Sequence, residues 1–168
     1  MSDVMMMGAA PRSVLSALLN RDTVLADFAR REELATIEDR TFYPIGLYLE
    51  LCGYLEERLG RYAFLRVGRK MGAAVMDTAF SADVKTIDDA VAQINGAHKM
   101  FCKPVVGGFE IEPSAGKIAI NCTTPYNCVL QEGLFYELAI RYGAPNATVT
   151  HTQCRRRGAK VCRFEVKY

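Results

Sequence analysis

The chain has 168 residues, half of them hydrophobic and 24% charged, with a formal net charge of +2. This describes one folded domain with a sizeable core and excludes a disordered chain. The charge is too small and too scattered for a nucleic-acid surface, and no apolar run reaches the ~18 residues that a membrane span needs, so neither partner is expected.

The opening MSDVMMMGAAPRS carries Asp3 and no sustained apolar stretch, so it is not read as a secretory signal. A cytoplasmic setting is expected, in which thiols stay reduced. Cys52, Cys102, Cys122, Cys128, Cys154 and Cys162 must then be core residues, metal ligands or reactive thiols. The first ten residues are expected to be loose. Residues 13–19 and 23–37 read as short helices, the second from the spacing of Val24, Leu25, Phe28, Leu34 and Ile37. Pro44 suits the first turn of a helix that carries Leu47, Leu51, Tyr54, Leu55 and Leu59 and stops at Gly60.

Residues 62–80 predict a further helix, in which Gly68 and Gly72 either allow close packing or weaken it. Thr86 and Asp89 form a capping box that opens a helix through Ala90, Val91, Ile94, Ala97, His98 and Phe101. The pattern then changes to period two. Phe109 to Glu112 and Lys117 to Ile120 alternate around Pro113-Ser114-Ala115-Gly116, a hairpin signal. Residues 127–142 return to a helix that ends at Gly143, with Pro145 just beyond. Residues 148–152 and 162–168 read as strands. The order predicts an α+β fold, a helical layer packed on an antiparallel sheet.

Cys154 and Cys162 flank a turn that holds Gly158, His151 lies just upstream, and Cys128 opens a helix, where unpaired N–H groups favour a thiolate. Three thiolates and one imidazole make a tetrahedral set for structural zinc. Zn²⁺ with those ligands carries a net −1, which Arg155, Arg156, Arg157 and Lys160 can offset. His151 and Cys154 would face opposite sides of a regular strand, so the strand must end or bulge near Gln153. The competing reading is a set of buried thiols beside a surface histidine.

The stretch from Cys128 to Phe164 resembles the C-terminal half of the 4-vinyl reductase (V4R) domain. That family ends in a pattern close to E-x-x-C-x-x-x-G-x-x-x-C-x-F. Cys154, Gly158, Cys162 and Phe164 match it, and His151 stands where the family has glutamate. Phenol-sensing bacterial regulators carry such domains and hold zinc through these positions. The resemblance implies a Zn²⁺ site of Cys128, His151, Cys154 and Cys162 in residues 41–168, with residues 1–40 as a helical extension that supports a homodimer.

V4R domains are similar in turn to heme-nitric-oxide/oxygen (H-NOX) domains and to subunits of a vesicle-tethering complex. That likeness implies a ligand cavity between the helices of residues 45–101 and the hairpin of residues 106–122. Its walls would include Tyr48, Cys52, Phe64, Met71, Met76, His98, Phe101, Cys102, Phe109 and Tyr126, suited to a small apolar or aromatic molecule. H-NOX domains ligate heme through one histidine, a role that His98 could fill, followed as it is by Pro104 and Phe109. Their Tyr-x-Ser-x-Arg motif falls on Asn121-Cys122-Thr123-Thr124-Pro125, without the arginine that pairs with propionates.

No G-x-S-x-G, P-loop or dinucleotide fingerprint is present. The pairs Asp88-Asp89 and Glu56-Glu57 read as helix capping and a solvated face. The expectation is a non-catalytic sensor that signals through a separate output protein. A heme-based gas sensor and a scaffold module are the alternatives, with tetrapyrrole vinyl reduction, which the V4R resemblance implies but for which the sequence supplies no hydride source, as a minor one.

Overall fold

Asn127 starts the helix around which the molecule is organised. In the computed structural model, which describes residues 3–168, its Oδ1 accepts from the backbone N–H groups of Val129 and Leu130 at 2.9 and 3.3 Å. Two donors that a helix terminus leaves open are thus satisfied. The helix that follows, α7 (Cys128–Tyr142), buries nine of its 15 residues, Gln131 and Glu132 among them. A helix buried to that extent is covered on more than one side.

One covering layer is α5 (Arg61–Ala79). A methyl group at Gly68 would strike the Leu130 carbonyl, and one at Gly133 would strike the Leu65 carbonyl. The glycines of α5 therefore serve close packing. Helix α4 (Ile45–Leu59) precedes it and α6 (Ile87–Phe101) follows. The Thr86–Asp89 capping box is formed in both directions. Pro44 ends a strand and caps α4 from outside, not within its first turn.

The other covering layer is an antiparallel sheet in the order β4-β5-β7-β6. Its strands are β4 (Phe109–Ser114), β5 (Lys117–Cys122), β6 (Thr148–Gln153) and β7 (Cys162–Lys167). The expected hairpin turn is shorter than the sequence suggested. Ser114 pairs with Lys117, so only Ala115 and Gly116 connect the strands, with Gly116 at φ 66°. Pro113 stays in β4, which its place at the sheet edge permits. Across β5 and β7, Ile118 faces Val166, Ile120 faces Phe164 and Cys122 faces Cys162. The isoleucines, Phe164 and Val166 are buried in the core.

The N-terminus departs from expectation. Met5–Met7 form β1, the centre of a small sheet between β2 (Phe42–Pro44) and β3 (Cys102–Lys103). Val4 and Met6 are buried, so this segment gains order by burying apolar side chains. The first predicted helix begins earlier, as α1 (Ala9–Ser16). The second is two short turns, α2 (Arg21–Val24) and α3 (Arg31–Ala35). Leu25, Phe28, Leu34 and Ile37 all reach the core of this chain, because tight turns repeat near three residues as a helix does. Among the described residues, no helix is long and apolar enough to cross a membrane.

Candidate functional site

Between α4, α5, α6, α7 and the start of β4 lies an apolar chamber of about 80 Å³. Tyr48, Met71, Met76, His98, Phe101, Phe109 and Tyr126, all anticipated from sequence, line it. Cys102, Cys52 and Phe64 do not. Cys102 begins β3, pairs with Met6 and points its thiol to the Pro104 carbonyl at 3.6 Å. Cys52 and Phe64 are fully buried core residues, and burial pushes the Cys52 thiol up to about 12.

Leu130, Gln131, Leu134 and Phe135 of α7 form a wall that the sequence did not announce, and Met6 and Ala10 close the N-terminal side. The signal for α7 was available: Gln131 and Glu132 interrupt an apolar run on a helix that is otherwise core.

The polar groups of the chamber are few. His98 Nδ1 and Tyr126 Oη are 2.8 Å apart. Phe109 meets the His98 ring edge-on at 5.9 Å, and Tyr48 meets Tyr126 edge-on at 6.0 Å. Gln131 is satisfied: its Nε2 donates to Thr124 Oγ1 at 2.8 Å and its Oε1 accepts from the Cys122 thiol at 3.2 Å. Burial lowers the His98 pKa against the opposing pull of the Val106 and Gly107 carbonyls. It raises that of the Tyr126 phenol. The pair is therefore neutral, with one shared hydrogen bond. His98 Nε2 is buried and makes no well-formed hydrogen bond among the described residues, although the Val106 and Gly107 carbonyls lie close to the ring.

The second cluster lies where α7, β6 and β7 meet. One ligand atom from each of Cys128, His151, Cys154 and Cys162 falls within 4.8 Å of the others. The Cys128 and Cys154 sulfurs are 3.8 Å apart. A tetrahedron with Zn–S bonds of ~2.3 Å has an S···S edge of about 3.8 Å. The predicted irregularity in the strand is present: His151 pairs with Phe164 and Gln153 with Arg163, so Thr152 is the extra residue of a bulge. It brings His151 and Cys154 to one side.

His151 stacks on Phe164 at 4.4 Å, and its Nδ1 lies 3.9 Å from Glu132 Oε2. Its Nε2 is the other buried nitrogen without a partner among the described residues. Burial lowers the His151 pKa, so the ring is neutral, as a ligand must be. Burial, helped by the neighbouring Cys154, raises the Cys128 thiol to about 11 against the pull of Arg156. The thiol of Cys162 is also raised by burial, whereas that of Cys154 is lowered: its burial is outweighed by hydrogen bonds, first among them one from the Arg156 backbone.

The surrounding charges were only partly legible. Arg156 Nη1 lies 4.0 Å from Cys128 Sγ and 2.6 Å from Glu56 Oε2. Asn127 Nδ2 also donates to Glu56 at 2.7 Å. Glu56 is thus a brace, not part of a solvated face. Glu132 is buried and pairs with Arg61 at 2.6 Å.

No protein-family profile matches the chain, and no curated protein does. The V4R resemblance therefore rests on the terminal motif alone. Solved structures do match. An H-NOX protein from S. oneidensis in the Fe(II)NO ligation state superposes with a TM-score of 0.69 at 16% identity, covering 96% of this chain and 98% of that one. The fold is that of the H-NOX domains. An unliganded Fe(II) H-NOX mutant from K. algicida gives 0.62 at 13% identity, with 96% of each chain covered. A structure from a study of heme redox potential and porphyrin distortion gives 0.63 at 13%, covering 96% and 97%. At these identities the likeness concerns architecture alone: helices packed on an antiparallel sheet.

Proposed function

We propose that the chain is a non-catalytic ligand-sensing domain on the H-NOX fold. Its chamber receives a small molecule beside His98, and a structural zinc ion on Cys128, His151, Cys154 and Cys162 fastens the terminal hairpin to α7. The observation that carries the reading is His98, which lines an otherwise apolar chamber and whose buried Nε2 makes no well-formed hydrogen bond among the described residues. Leaving such an atom unpaired costs about 1–3 kcal/mol, which a ligand with one polar group offsets. The three thiols and the imidazole fit zinc in type, spacing and burial, and four protein ligands leave no position for water. The signal passes to a separate protein that contacts the helical layer.

A heme-based gas sensor is the second reading, and the comparisons favour it over a receptor for apolar molecules, since the matched structures include an Fe(II)NO H-NOX protein. His98 fits an axial role: Tyr126 holds Nδ1 and leaves Nε2 bare. The rest of the chamber does not fit a heme. Its volume is about 80 Å³, against roughly 300–1,000 Å³ for sites that enclose drug-sized molecules. No Lys or Arg is among its lining residues to pair with propionates. Met71 and Met76 are the adaptable walls, and they suit a smaller guest.

Titration with hemin decides between the two. The expected result is no stoichiometric Soret band in the wild type. A 1:1 band that disappears in His98→Ala establishes the heme sensor instead.

A further inference from the structure

The two sites are joined along the chain, through Tyr126-Asn127-Cys128, and also across it, through the side chain of Arg155. Arg155 follows Cys154 directly, and its backbone N–H donates to Cys162 Sγ at 3.4 Å. Its guanidinium Nη1 reaches across to a different part of the fold. There it donates to the Thr123 carbonyl at 2.8 Å and the Thr124 carbonyl at 2.9 Å. These carbonyls end the run from β5. Pro125 follows, and then Tyr126, whose phenol meets His98 Nδ1 at 2.8 Å.

The loop so held has other attachments. The Thr123 N–H donates to the Gly108 carbonyl at 3.0 Å. Thr124 is buried, and its hydroxyl meets the Cys122 thiol at 3.1 Å. Backbone also links this loop to the three-cysteine, one-histidine cluster, since Cys122 faces Cys162 across the sheet and Tyr126 is two residues from Cys128. Arg155 is a side-chain link between the two, because the backbone that carries it is bounded by Cys154 and hydrogen-bonded to Cys162.

We infer that Arg155 is a positioning residue, which ties occupancy of the metal centre to the placement of Tyr126 against His98. The inference rests on the zinc reading above. When the metal fixes Cys154 and Cys162, the short 3-10 turn of Arg155–Arg157 between them is fixed too. The guanidinium then clamps two adjacent carbonyls, and Pro125, with its own φ fixed and Thr124 before it restricted, leaves few soft torsions between the clamp and Tyr126. When the metal leaves, the turn loosens, the clamp opens and Tyr126 no longer holds His98 in one orientation. The metal centre in this arrangement sets the geometry of the chamber from outside it.

The chain contains two histidines, so the ring ¹⁵N signals of both can be followed by NMR in the full chain. Zinc content is measured first, by elemental analysis, and folding by circular dichroism. With zinc bound, Arg155→Ala is expected to retain one zinc per chain and to shift the His98 Nδ1 and Nε2 signals. Arg155→Lys, which keeps donors for the carbonyls, should return them most of the way. Removing zinc from the wild type should move His98 in the same direction, and removing it from Arg155→Ala should add no further shift.

A chain that takes up no zinc overturns the metal reading itself. A chain that binds zinc but whose His98 signals ignore both Arg155→Ala and zinc removal overturns the coupling alone. So does a result in which the two perturbations add independently. If chelation unfolds the hairpin, the zinc-loaded Arg155→Ala and Arg155→Lys spectra decide the matter.

Discussion

Cys128 and Cys154 hold their sulfurs 3.8 Å apart although 26 positions separate them in the chain. One opens a helix and the other follows a strand, so this contact joins the helical layer to the terminal hairpin. Three thiols and an imidazole drawn together from both parts are the ligands through which zinc would fasten one to the other. Cys154→Ala should therefore abolish stoichiometric zinc. It should also destabilise the fold by at least about 3 kcal/mol, a loss of roughly 6–12 °C in Tm for a domain of this size. Elemental analysis and thermal denaturation in matched zinc-containing buffer check both parts.

Glu132 stands behind His151 at 3.9 Å and is itself held by Arg61. At that distance the carboxylate acts on the imidazole through its charge, which favours a cation bound to the ring. Glu132→Gln keeps the shape and removes the charge. Zinc affinity, measured by competition with a chromogenic chelator, should fall about tenfold, with the fold retained.

His98 and Tyr126 make a neutral buried pair, and the pH dependence of stability follows from the depressed His98 pKa. Below about pH 6.5 the unfolded chain binds a proton that the folded His98 resists. Stability is then lost as pH falls from the unfolded value towards the lower folded one. The double variant His98→Leu with Tyr126→Phe should show a shallower decline of Tm between about pH 7.5 and 5 than the wild type. His98→Leu alone should cost more than the double variant, because it strands the Tyr126 hydroxyl.

Helices α5 and α7 touch through glycines, and a side chain at Gly68 meets backbone that cannot move aside. Gly68→Ala should cost about 1–3 kcal/mol through overpacking. Gly53 lies on an exposed face of α4, and a methyl group added there would meet nothing within 4 Å. Gly53→Ala should instead stabilise by about 0.5–1 kcal/mol. Opposite signs of ΔTm for the two substitutions test the close crossing.

Local signals carried much of this fold. The Thr86–Asp89 box, the alternation in β5 and β7 and the conflict between His151 and Cys154 that forced a bulge all act within a few residues, and all were legible. What escaped depended on distant partners. Met5–Met7 read as a loose end because a three-residue strand has no period to detect; its order comes from β2 and β3 on either side. Glu56 looked like a solvated carboxylate because its partner, Arg156, lies 100 positions away. Leu130, Leu134 and Phe135 fell in a segment read simply as a helix; that they face a chamber follows from the way α7 packs against its neighbours.

Native mass spectrometry of the full chain, purified without chelator, tests the central claim most directly, because one spectrum reports the metal and any retained small molecule. The account predicts the mass of the chain plus one zinc, with any retained organic guest far lighter than a heme. A spectrum of metal-free chain, with its thiols reduced and its fold intact, would contradict it.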